Sequence, residues 1–211
     1  MLIINAYFLY PPKANSKRNL FIPQNISKNT KTMNLMQRIL IKSRTWRDHN
    51  LQKIALFFLK IKISANIMTF FSLLLGLIAI YYLFQNHFLF IIFGLLHLLA
   101  DGLDGVIARY STTTAFGKYF DYTTDRIVEA FLLLKIGWQL HDYYPYFILG
   151  IMMITQLIYI ISQFQAPIFF SRTLMVIILI FQLPVLAYLS EGLLVLFSLG
   201  LQLQYFSRQK L

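Results

Sequence analysis

From residue 65 onward the chain reads as six successive apolar segments, at about 65–84, 88–109, 117–138, 144–163, 171–189 and 191–208. Each is close to the ~20 residues an α-helix needs to cross a hydrocarbon core ~30 Å thick. The composition agrees, with 58% hydrophobic, 17% aromatic and only 13% charged residues. The expected fold class is therefore an all-α integral membrane protein. Six transmembrane helices are expected, preceded by an amphipathic interfacial helix. No Pro-rich linker or change of composition interrupts residues 63–211, so they are read as one six-span domain.

The net charge of +11 is unevenly placed. Residues 1–62 carry twelve Lys and Arg against the single Asp48, whereas residues 63–211 carry seven of each sign. Basic charge directly ahead of a first apolar segment suits anionic lipid head groups, so the bilayer and not nucleic acid is the expected partner. Within 35–62, Met36, Ile39 and Leu40, then Leu51, Ile54, Ala55 and Phe58, recur at helical spacing, which predicts a juxtamembrane amphipathic helix. Residues 1–34 read as a disordered basic segment, rich in Asn, Lys, Ser, Thr and Pro between 11 and 34. Their start has no signal-peptide pattern, and Met33 is the expected true start. The chain has no Cys, which excludes disulfides, thiolate metal sites and Cys nucleophiles.

Loop charges orient the segments. Gln85–His87, Gln139–Tyr143 and Ser190–Gly192 have no Lys or Arg, while Arg109, Lys118, Arg172, Arg208 and Lys210 fall at the other ends. By the positive-inside rule, both termini and the 109–118 loop are expected on the cytoplasmic side.

Against this background stand Asp101, Asp104, Asp121 and Asp125, half of the chain's eight acidic residues. A carboxylate in hydrocarbon costs roughly 2.5–3.5 kcal/mol on insertion scales, so an intramembrane acidic cluster marks a functional site. Asp101, Asp104, Gly105 and Ala108 follow i, i+3, i+4, i+7, and Gly117, Asp121 and Asp125 follow i, i+4, i+8, so each set shares one helix face. Asp101 lies 13 residues past Phe88, roughly 20 Å along a helix at 1.5 Å per residue. Entering from outside, that is about 10 Å below the cytoplasmic surface, and Asp121 and Asp125 reach the same level. Two such helices face to face would converge four carboxylates, which only cations allow to stay ionised together. Oxygen ligands without His or Cys favour Mg²⁺ or Mn²⁺, and two ions suit four carboxylates. Arg109 offers a guanidinium for phosphate oxygens, and Gly105, Ala108 and Gly117 leave room for a ligand.

The pattern Asp101-x-x-Asp104-Gly105-x-x-Ala108-Arg109, then Gly117-x-x-x-Asp121-x-x-x-Asp125, resembles the signature of the CDP-alcohol phosphatidyltransferases at every fixed position. The resemblance covers about residues 63–190. It implies a six-span, homodimeric membrane enzyme that releases CMP from a CDP-activated donor. It further implies that Asp101, Asp104, Asp121 and Asp125 bind two Mg²⁺ or Mn²⁺ ions and that Asp125 is also the general base. Gly105, Ala108 and Gly117 would line the cytidine pocket, with Arg109 near the diphosphate. The family's Pro-Asn with a following Thr at its first span becomes Ala65-Asn66 with Thr69 here. Asn66 and Thr69 are the expected nucleotide contacts, although the turn before them lacks its Pro.

Other polar residues have plainer readings. His97 is expected to be a satisfied packing residue, and Lys118 an interfacial anchor. Glu129 either extends the polar network toward the acceptor or pairs with Arg126 or Lys135. Arg172, opening the fifth segment, is the candidate to hold an anionic acceptor, against a role in positive-inside anchoring. Asp142 and Glu191 read as outer-loop residues without partners, His87 and His141 as solvated, and Pro184 as a kink in the fifth segment.

The expected function is transfer of a phosphatidyl group from CDP-diacylglycerol to a small alcohol acceptor. The motif alone does not separate this from CDP-choline or CDP-ethanolamine transfer to diacylglycerol. A divalent-cation transporter is the reading from another class. Against it, the carboxylates sit near one membrane face and the later segments lack matching acidic residues.

Overall fold

Helix starts in this chain are written in its polar residues. The computed structural model describes residues 50–111, 114–162, 166, 168, 169 and 171–209, and residues 51–211 form one unit built of helices, with no strand among the described residues. Residues 51–60 belong to a first helix, α1; the expectations for 1–34, for Met33 and for the first part of the 35–62 helix lie outside the described residues. Then follow α2 (Ala65–Tyr82), α3 (His87–Tyr110), α4 (Ala115–Leu140), α5 (Tyr144–Ile161), α6 (Arg172–Ile180) and α7 (Pro184–Gln209). Ser64, Asn86 and Thr114 cap α2, α3 and α4, each side-chain oxygen accepting from the backbone N–H three residues on. α4 ends at His141, in the left-handed region at φ 53°.

α2, α3, α5 and α7 are each long and apolar enough to cross a membrane. The chain is a membrane-embedded helical protein. α4 is as long as α7, at 26 residues, but carries Lys118, Asp121, Asp125, Arg126, Glu129 and Lys135. α2 packs against both α3 and α4, α5 against α4 and α7, and α6 against α7. The main core joins Phe90, Leu132, Leu133, Ile136, Met152 and Met175. A second cluster joins Ala55 of α1 to Met68, Ala100, Leu103, Val106 and Ile107, docking α1 on α2 and α3. Ile54, Phe57 and Ile61 of the same region stay exposed.

The last two helices depart from the sequence expectation. No turn exists at Ser190–Gly192; α7 runs straight through it. The break falls instead at Phe181–Leu183, where Gln182 takes φ 59°, and Pro184 opens α7 and kinks nothing. Proline lacks the N–H that α6 would need to continue and pushes its predecessor out of the helical region, whereas at a first helical position it loses nothing. The 171–189 segment thus contains a nine-residue α6, about 14 Å long, too short by itself to cross ~30 Å of hydrocarbon. Gly192 is a packing residue, since a methyl group there would come to 3.0 Å from the Ile148 side chain of α5. Close approach of this kind is how helices associate where apolar burial gives no advantage over lipid.

Candidate functional site

Two acidic stripes meet as their spacing requires. α3 supplies Asp101 and Asp104, α4 supplies Asp121, and one carboxylate oxygen from each lies within 4.8 Å of the others. α2 packs on both α3 and α4, and the carboxylates of those two helices come together beside it. Asp104 is buried and its Oδ2 has no hydrogen-bond partner. An anionic oxygen left bare in a low-dielectric interior costs several kcal/mol unless a cation answers it. The donor set and that bare oxygen fit a divalent ion such as Mg²⁺ or Mn²⁺.

Asp125, the fourth carboxylate, is held differently. Arg172, the first residue of α6, reaches between the stripes: its Nη1 pairs with Asp125 Oδ1 and its Nη2 lies 2.6 Å from Asp101 Oδ2. Arg172 is buried and therefore is not an interfacial anchor in water. Neither alternative weighed for it from sequence included a bond to the acidic cluster itself.

The predicted nucleotide residues gather at the same end. Asn66 sits in the first turn of α2, and its Oδ1 would lie 2.7 Å from a methyl group at Gly117 in the first turn of α4. A side chain at that position would push the Asn66 amide aside. The Gly117 amide donates to Thr114 Oγ1 at 3.0 Å. Thr69 is buried, donates to the Ala65 carbonyl at 3.0 Å, and contacts the Asp104 carboxyl. Arg109 folds back along α3, its Nη1 3.6 Å from the place a Gly105 side chain would occupy. Ala108 is half-buried on the same stretch. Lys118 is exposed, as an anchor would be.

Behind the carboxylates lies a second polar layer that sequence reading largely missed. Glu129 is fully buried; Ser171 donates to its Oε1 at 2.9 Å and Arg126 pairs with its Oε2. Glu129 therefore pairs with Arg126, not Lys135. The Arg126 guanidinium also lies 5.9 Å from the Tyr122 ring centre, and the Tyr122 hydroxyl donates to Gln156 of α5. Glu191 is no outer-loop residue. It is buried in α7 against Glu129 and Ser171. The signal was available: an acidic residue inside an apolar run is the same signal that marked Asp101. A turn expected at Ser190–Gly192 concealed it.

Two further expectations are corrected. Asp142 has partners, accepting from the Tyr188 hydroxyl at 2.6 Å and the Tyr144 amide at 3.0 Å. His97 is buried as expected but only half satisfied. Its Nδ1 donates to the Ser72 carbonyl at 2.8 Å, while Nε2 has no partner.

The match to known proteins follows the same residues. The family model described as CDP-alcohol phosphatidyltransferase matches residues 62–202, about two thirds of the chain and all of the acidic centre. The chain belongs to the CDP-alcohol phosphatidyltransferase family. It is also 34% identical over 107 residues to an uncharacterized protein of Aquifex aeolicus (strain VF5). That match covers 50% of this chain and 53% of the relative, so it spans about half the length of either. Family membership, and not the acidic inventory, disfavours a cation transporter. The argument that later segments lack acidic residues fails at Glu191.

Proposed function

We propose that this chain transfers a phosphatidyl group from CDP-diacylglycerol to the hydroxyl of a small alcohol, releasing CMP, as a step of phospholipid synthesis. The observation that carries this reading is the convergence of Asp101, Asp104 and Asp121 from two helices, beside Asp125 and Arg172. Asp101, Asp104, Asp121 and Asp125 would hold two Mg²⁺ or Mn²⁺ ions. When bound, such ions neutralise the diphosphate and the departing CMP.

The chain's own residues do the rest. Asn66, Thr69, Gly105, Ala108 and Gly117 form the cytidine side, where the absent Gly117 side chain lets α2 and α4 close on the ligand. Arg109 faces the diphosphate with a planar donor set suited to phosphate oxygens. Asp125 takes the proton from the acceptor hydroxyl as its oxygen bonds to the β-phosphorus and the bond from that phosphorus to the CMP oxygen breaks. Positioning and fixed charge supply most of the acceleration in such transfers. Arg172 gives a phosphorylated polyol acceptor a cation to meet. The dimer expected of this family gives the exposed apolar helix faces a second occupant besides lipid.

Orientation belongs to the same proposal. With the acidic centre near the basic ends of α3 and α4, the site and both termini face the cytoplasm. α4 crosses with its charged face inward, and the short α6 runs from the acidic centre toward the α2–α3 turn. α1 lies in the interface with Ile54, Phe57 and Ile61 toward lipid.

Purified protein incubated with labelled CDP-diacylglycerol, Mn²⁺ and a panel of alcohols tests this reading, with CMP release expected for one acceptor class. Release from CDP-choline with diacylglycerol instead would reassign the donor. Metal crossing proteoliposomes without any CMP formation would end the enzyme reading. Asp125→Asn is expected to abolish turnover; near-normal activity would remove Asp125 as the base.

A further inference from the structure

Arg172 joins the acidic centre in an unusual way. Arginine binds one carboxylate most strongly through a two-pronged fork. Here the fork is split, Nη2 to Asp101 on α3 and Nη1 to Asp125 on α4, while Nε is buried without a partner. A cation that bridges two carboxylates from two helices does what a divalent ion would do in the same place. Asp101 is shared, because it also belongs to the trio with Asp104 and Asp121. The centre therefore has two unequal halves: the trio, with Asp104 Oδ2 bare, and the Asp101–Asp125 side, already answered by a guanidinium.

The second observation lies one residue away. Ser171 anchors the start of α6 by donating to Glu129, so the long Arg172 side chain can swing without moving its helix. Next to Ser171 and Glu129 lies the buried Glu191 carboxyl, with no cation paired to it among the described residues. A carboxylate without a cation in that interior is unfavourable unless one reaches it for part of the working cycle.

We infer that Arg172 is an exchangeable counter-cation of this centre: a second divalent ion takes the Asp101–Asp125 side only by displacing the guanidinium, which moves toward Glu191. This rests on the reading of the acidic cluster as a metal centre and adds an order of loading to it. The first ion enters the Asp101–Asp104–Asp121 side, where Arg172 holds only Asp101 and Asp104 Oδ2 stands bare. The second competes with a fixed positive charge, and so binds more weakly.

Calorimetric titration of the purified full chain with Mn²⁺ alone tests this without any turnover. Wild type should bind two ions in separate steps, the second at least about tenfold weaker, given Coulomb energies at such range. Arg172→Gln should strengthen the second step by about tenfold or more and the first step by less, since only Asp101 of the trio is paired with Arg172. Arg172→Lys, keeping the charge but losing the fork, should fall between them. Glu191→Gln, which removes the receiving carboxylate, should weaken the second step several-fold. Unchanged or weaker second binding in Arg172→Gln would overturn the exchange. Should that variant fail to elute as a folded species, an unchanged second step in Glu191→Gln would overturn it instead. Loss of the first step in wild type itself would refute the metal centre, a different failure from equal binding at both steps.

Discussion

A methyl group at position 117 would sit 2.7 Å from Asn66 Oδ1 and 3.2 Å from Thr114 Oγ1, the latter held as the N-cap of α4. Gly117→Ala should therefore destabilise by roughly 1–3 kcal/mol, the usual range for overpacking. It should also lower CMP release at least about tenfold, because α2 and α4 must part at the proposed nucleotide side. Adding Asn66→Ala should restore melting temperature but not activity, which separates the clash from the contact. The buried glutamates give an opposed pair of expectations. Glu129→Gln breaks a buried ion pair with Arg126 and should cost about 3–5 kcal/mol. Glu191→Gln removes a buried carboxyl crowded against the Glu129 carboxyl, so thermal melting should show a neutral or stabilising change. At this scale the sequence was most readable where spacing along one helix decided the outcome, as for Asp101 with Asp104 and Asp121 with Asp125. It was silent on Arg172 with Asp125, 47 residues apart, because no local period links them.

At the level of helices, the break between α6 and α7 shows how a weak turn signal loses to a strong one. Ser190-Glu191-Gly192 contains turn formers, but helix packing absorbs them: Gly192 lies against Ile148 and Glu191 against Glu129. Pro184 cannot be absorbed inside a helix, so the chain turns there. The turn between α4 and α5 is tied to α7 by Asp142, whose carboxyl is held below its ordinary range by the Tyr188 hydroxyl and the Tyr144 amide. A carboxyl with a lowered folded pKa stabilises above its unfolded value, near 3.9, and loses that contribution as pH falls through the folded value. Wild type should therefore lose melting temperature on acidification below about pH 4 more steeply than Asp142→Asn. Equal slopes for the two proteins would mean that the Tyr188 bond carries no charge-dependent stability.

For the whole molecule, the lack of native cysteine makes sidedness measurable with single introduced thiols. Lys118→Cys, in the exposed first turn of α4, should react with an impermeant maleimide only from the cytoplasmic face of membrane vesicles. Tyr143→Cys, exposed before α5, should react only from the other face. The reverse pattern would invert the proposed orientation. Apolar length, the placement of basic charge and the helical period of the aspartates are properties of the chain read in order. They sufficed for a helical membrane protein, its family and the two acidic stripes, because a helix in lipid must satisfy its backbone locally and must turn its carboxylates inward. Which cation answers which carboxylate is a matter of distance across helices. Arg172 between Asp101 and Asp125, Glu129 against Ser171, and Glu191 drawn into the interior came only from packing α6 and α7 against α3 and α4. Coulomb forces act through space, and a sequence records separation only along the chain.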